Sequence, residues 1–214
     1  MKTRLLLTAI MISGIYSLSL AQSSDKEEMK TIFGNPDHKI SNGGYGAFTV
    51  GYTQIGGQDV VTLGGRAGWL IDHHVTLGIK GTALTNSIYL SGYWPDDQGF
   101  YLVGGYGGFF IEPIIAPNFP IHVSFPIMIG GGGVALNYDT WHNHDWEYDS
   151  YEPYDWDSYF ALEPGIEIEL NLVRCLRLAF GASYLYTTDI NMANVPSDLM
   201  RNFSGTMTLK VGVF

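Results

Sequence analysis

His122 and Ser124 are two side chains that could act together on an ester. On an extended strand, residues two apart point the same way, so the imidazole could take the hydroxyl proton for acyl transfer. Such chemistry also needs an acid to orient the imidazole. The stretch GGGGVALN (130–137) that follows holds no carboxylate, so Glu163 or Glu167 would have to supply it from an adjoining strand. A histidine satisfied inside the fold is the simpler reading of the same residues.

A second constellation lies in 137–158, NYDTWHNHDWEYDSYEPYDWDS. It carries Asp139, Asp145, Glu147, Asp149, Glu152, Asp155 and Asp157, with Trp141, Trp146, Trp156 and four tyrosines, and no Lys or Arg. His142, His144 and Asp145 could meet a divalent ion, but their spacing matches no known metal loop, so no metal or other cofactor is expected. Exposed aromatics beside carboxylates also suit a glycan or protein partner. The plain alternative is a solvated loop held open by its own charge.

The third constellation is FALEPGIEIEL (160–170). Phe160, Leu162, Ile166, Ile168 and Leu170 alternate with Glu163, Glu167 and Glu169. Period two is the strand pattern, and three carboxylates on one short face need water or cations. Arg66, Lys80, Arg177 and Lys210 occupy the matching face of four other strand-like stretches. A closed barrel with ion pairs inside and apolar residues outside satisfies all of them, and such a barrel belongs in a bilayer.

The elements that must position these residues are eight strands: 45–55, 60–71, 75–85, 100–111, 120–136, 160–170, 175–187 and 204–214. Connections after the second, fourth and sixth are short, whereas those after the third, fifth and seventh are long. Only the first, GGQD, breaks that rule. The expected fold is therefore all-β: an eight-stranded antiparallel up-and-down transmembrane barrel spanning 43–214, with both termini on the short-turn, periplasmic side. Glu112–Phe119, with its prolines, reads as a turn. Trp69, Tyr159, Tyr184 and Tyr186 fall near strand ends, where an aromatic girdle would sit.

Residues 1–21 read as a signal peptide, with Lys2 and Arg4 before an apolar run and Ser19 and Ala21 at the cleavage positions. Residues 22–42 read as a polar periplasmic leader. Cleavage leaves 9 basic against 21 acidic residues, a balance of −12, which excludes nucleic acid as a partner. The single Cys175 allows no internal disulfide. Alternation alone also permits a secreted soluble barrel with the apolar face inside. The loop asymmetry and the rim aromatics favour the membrane version, as a monomer whose immediate partner is outer-membrane lipid.

The segments GGYGAFTVGYTQI, LGGRAGWLIDHH, GGYGGFFIEP and HVSFPIMIGGGG resemble the small eight-stranded outer-membrane barrels of Gram-negative bacteria, of OmpA/OmpX type. The resemblance implies an outer-membrane location and a structural or adhesive, non-enzymatic role. His122 and Ser124 also match the His-x-Ser of outer-membrane lipid A deacylases. That motif would begin strand five beside a periplasmic turn, whereas lipid A lies in the opposite leaflet. Barrels of this type usually end on a phenylalanine facing lipid. Here Met207, Leu209, Val211 and Val213 share one face and Phe214 falls on the other with Lys210. Either a bulge shifts the last residue or the facing of this strand is reversed.

Overall fold

The computed structural model describes residues 41–85, 88–89, 100–138 and 155–214. The strands are β1 (Asn42–Ile55), β2 (Gln58–Ile71), β3 (Val75–Leu84), β4 (Ile88–Tyr89), β5 (Phe100–Ile115), β6 (Ile121–Ser124), β7 (Ile127–Tyr138), β8 (Asp155–Val173), β9 (Leu176–Thr187) and β10 (Asn202–Val213). All pair antiparallel, and the ring closes through β3 on β5 and β1 on β10. The two-residue β4 only extends the edge of β5. β6 and β7 are one wall: Ser124 faces Glu167 and Ile127 faces Pro164, so the register is unchanged across the break. The break falls at Pro126, which has no N–H to donate, while its carbonyl still accepts from Gly165 N at 2.8 Å. Eight walls result among the described residues, and each is paired on both sides.

The connections sort by rim. Asp72–His74, 116–120 and Arg174–Cys175 lie at the rim that carries Asn42 and Val213; the strand ends Leu84, Tyr138 and Asp155 and the segment 188–201 lie at the other. The β1–β2 hairpin at that far rim is the tight exception, turning on Gly56 and Gly57 at positive φ.

Interior and exterior follow the period-two pattern. Phe48, Leu63, Ile79, Phe109, Ile129 and Ile168 point out and are exposed, while Arg66, Glu163, Glu167, Glu169, Arg177 and Lys210 are buried. The interior has two tiers. The half nearest Asn42 and Val213 is ionic. The far half is apolar, built from Ile55, Val60, Leu102, Leu136 and Leu185 and closed by Ile190, Met192, Leu199 and Met200 from 188–201. That segment, expected as a long connection, is pinned in place. Asn191 N donates to Asp157 at 2.7 Å and Ala193 N to Asp155 at 3.0 Å.

Three placements differ from the sequence reading. Tyr159 is not a girdle residue; it shares the inward face of Glu163 and is 4% exposed. Its ring has room because Gly132 stands opposite, where a Cβ would come within 2.6 Å of Tyr159 Cζ. Glu112 lies on β5 and not in a turn. Phe214 requires neither a bulge nor a reversed strand. The β10 register with β1 is continuous, Lys210 points inward, and Phe214 stacks on Tyr45 at 5.7 Å.

Candidate functional site

The ionic tier is organised by Lys210. Strands β10, β5 and β8 project Lys210, Glu112, Glu167 and Glu169 to the same level of a narrow lumen. Lys210 Nζ lies 2.6 Å from Glu112, 2.6 Å from Glu169 and 3.4 Å from Glu167. The three glutamates place carboxylate oxygens within 4.8 Å of one another, an arrangement that could otherwise hold a metal ion. Here the ammonium supplies that positive charge.

Arginines complete the balance. Arg66 Nη2 reaches Glu167 at 2.6 Å, and its Nη1 lies 3.8 Å from Glu112. Arg177 approaches Glu169 at 3.6 Å. Tyr45 donates its hydroxyl to Glu112, and Ser124 Oγ donates to the other oxygen of that carboxylate at 3.0 Å. Glu112, Glu167 and Glu169 thus meet Arg66, Arg177 and Lys210, three charges of each sign. Buried ions cost several kcal/mol each unless paired and hydrogen-bonded, so this matching is a condition for the fold to close.

Lys80 and Glu163 form a separate pair at 2.7 Å, with Ser183 Oγ donating to Glu163 at 2.8 Å. A cavity of about 20 Å³ lies between the two groups, bordered by Arg66, Lys80, Glu163 and Glu167. It has room for about one water.

His122 and Ser124 sit together on β6 as their spacing requires, but each is engaged elsewhere. His122 Nε2 lies 3.2 Å from Glu169 and Nδ1 3.3 Å from Phe119 O, while Ser124 donates to Glu112. Glu163 is not brought to them, because its oxygens are held by Lys80 and Ser183. Ser124 is wholly buried, so a substrate carbonyl has no approach to its oxygen. Every member of the expected lumen network (Arg66, Lys80, Glu163, Glu167, Glu169, Arg177) lies in an ion pair. The residue the sequence reading missed is Glu112. Its signal was present, since Phe110, Glu112 and Ile114 continue the inward alternation past the expected end of the strand.

Of the surface-loop residues, Trp156 is on β8 and exposed, so the wall begins inside the stretch expected as loop. Trp141, His142, His144 and Trp146 lie outside the described residues.

No protein-family model matches the sequence, and no curated protein sequence matches it. Solved structures do match. Neisserial surface protein A aligns at TM-score 0.52 with 11% identity, covering 82% of this chain and 99% of that one. Ail, the attachment invasion locus protein of Yersinia pestis, gives 0.47 with 11% identity over 80% and 97%. The N-terminal β-barrel domain of Pseudomonas aeruginosa OprF gives 0.47 with 6% identity over 78% and 96%. With the ring of eight walls already established, the likeness to the Neisserial protein places the chain in the fold of the small eight-stranded outer-membrane barrels of OmpA/OmpX type.

Proposed function

We propose that this protein is an outer-membrane barrel whose interior is structural and whose activity is surface binding, carried by the connections at the rim away from the termini. One observation supports the location above all. The outward face of the described walls is apolar, with Phe109 73% and Ile79 59% exposed, while the carboxylates and their cationic partners are buried inside. Soluble monomers rarely expose contiguous apolar surface beyond a few hundred Å². A bilayer solvates such a belt, and the aromatic rings of Tyr52, Trp156, Tyr186 and Phe203 then lie at one lipid–water boundary with Trp69 at the other.

The packed lumen supports the second half of the reading. Ion pairs below and apolar side chains above leave no wide channel among the described residues, which argues against a porin role. Binding then falls to the rim, where 137–158 combines seven acids with three tryptophans and no base. Its composition suits an extracellular protein or a glycan, and the termini lie on the periplasmic side. The test is adhesion by proteoliposomes to immobilised matrix proteins and glycans, with and without deletion of 139–154. The deletion is expected to abolish retention while keeping the heat-dependent gel mobility of a folded barrel. Equal retention by both forms would remove the adhesive role from this segment.

A further inference from the structure

We infer that the mouth at the terminal rim is a binding site for an oxyanion, a carboxylate or phosphate carried by a molecule from the adjoining aqueous compartment. A cavity of about 460 Å³ opens there, bordered by His73, Asn118, Asn171, Arg174, Arg177 and Phe214 among others. No carboxylate side chain is among its lining residues, although acids outnumber bases 21 to 11 in the chain. Arg174 and Arg177 are the two arginines that line it.

Arg177 is the centre of the site. It is 4% exposed, and its Nε is buried with no hydrogen-bond partner. Its ion pair to Glu169 is long, at 3.6 Å, and the guanidinium plane is covered by the Phe214 ring at 4.0 Å. A guanidinium offers five N–H donors, and a buried donor left unmatched is destabilising. Arg177 also lines the cavity, so an anion held in the mouth would lie beside this buried guanidinium. Arg174, on the β8–β9 turn, is exposed and without a partner among the described residues, so it adds a second guanidinium free to reach the same ligand. Two guanidiniums converging on one cavity are the usual means of holding a planar carboxylate or a phosphate.

The rest of the mouth is formed by turns held in place by their own hydrogen bonds. Asn171 Nδ2 donates to Pro117 O at 3.3 Å and Phe119 O at 2.9 Å, which fixes the 116–120 turn and with it Asn118. Ala116, at φ +58°, and the Phe119 N to Ala116 O bond tighten that turn further. His73, at φ +59°, sits on the opposing turn. These are three separate connections, each built to meet the same opening.

The test uses the full chain refolded in detergent micelles and, separately, in phosphatidylcholine nanodiscs. Inorganic phosphate and citrate serve as probes, and binding is read from the Nε–Hε resonance of Arg177 and by calorimetry. Both preparations are expected to show a saturable shift of that resonance, and Arg174→Gln is expected to weaken binding at least tenfold. Arg174 is exposed, so the variant should fold normally. Nanodiscs doped with phosphatidylglycerol separate the sources: a shift without added probe there, and none with free anion, would mean a lipid phosphate is the ligand and would overturn the aqueous one. No shift with either probe, or equal affinity in Arg174→Gln, would overturn the site.

Discussion

Replacing Lys210 with methionine is expected to lower the stability of the folded barrel by about 3–5 kcal/mol. The ammonium contacts Glu112, Glu167 and Glu169, and all four side chains are buried. Methionine fills a similar volume but leaves three carboxylates facing one another with only Arg66 and Arg177 nearby. Urea unfolding in lipid vesicles reads the loss directly. A second change, Glu169→Gln in the Lys210→Met background, removes one of the surplus negative charges and should recover part of the stability. Such non-additivity is the signature of residues sharing a network. If the two changes simply add, the glutamates are solvated and the network is not a unit.

Ile129→Arg is expected to cost about 2–4 kcal/mol, the range for a cation facing lipid near the bilayer midplane. Ile129 is 52% exposed near the middle of its wall, flanked across the ladder by Phe109 and Leu162. The same substitution at Phe203, beside the far rim, should cost only about 0–1 kcal/mol, because the side chain can reach the headgroups. Were this face in water, both changes would fall within about 0.5 kcal/mol. Depth dependence is therefore the informative quantity, read from paired unfolding curves in vesicles.

Much of this arrangement was legible in the sequence, for a physical reason. Where one face of a strand meets ions and the other lipid, polarity alternates strongly, and period two assigns each side chain. Arg66, Lys80, Glu163, Glu167, Glu169 and Arg177 all fall on the inner face by that rule. The signal failed where both faces are apolar or where proline interrupts it. Ile55, Val60, Leu102 and Leu136 fill the upper lumen, so nothing in their polarity marks them as interior. Glu112 was hidden by Pro113, which suggests a turn yet pairs with Val75, its carbonyl accepting from Phe125 N at 3.0 Å.

The ordered segment 188–201 could not be read from pattern either. Its buried residues Ile190, Met192, Leu199 and Met200 have no regular period, because they plug a mouth and do not line a wall. Asp155 and Asp157 looked like members of an acidic surface loop, and they do lie at its edge. Their carboxylates instead accept backbone N–H groups of Asn191 and Ala193, a role that depends on tertiary contact alone.

The most direct test of an inside-out barrel is the depth of its outward side chains in lipid. Single cysteines replace Ile79, Ile129 and Phe203 in a Cys175→Ser background, each carrying a small fluorophore, in vesicles doped with nitroxide lipids. Ile79 and Ile129 are exposed near the middle of their walls, and Phe203 lies at the far rim. The expected result is strongest quenching of the first two by a deep nitroxide, of the third by a shallow one, and none at Ile79 or Ile129 by aqueous iodide. Quenching of the Ile79 and Ile129 labels by iodide, with no response to nitroxide depth, would place the apolar face in water and contradict the membrane barrel.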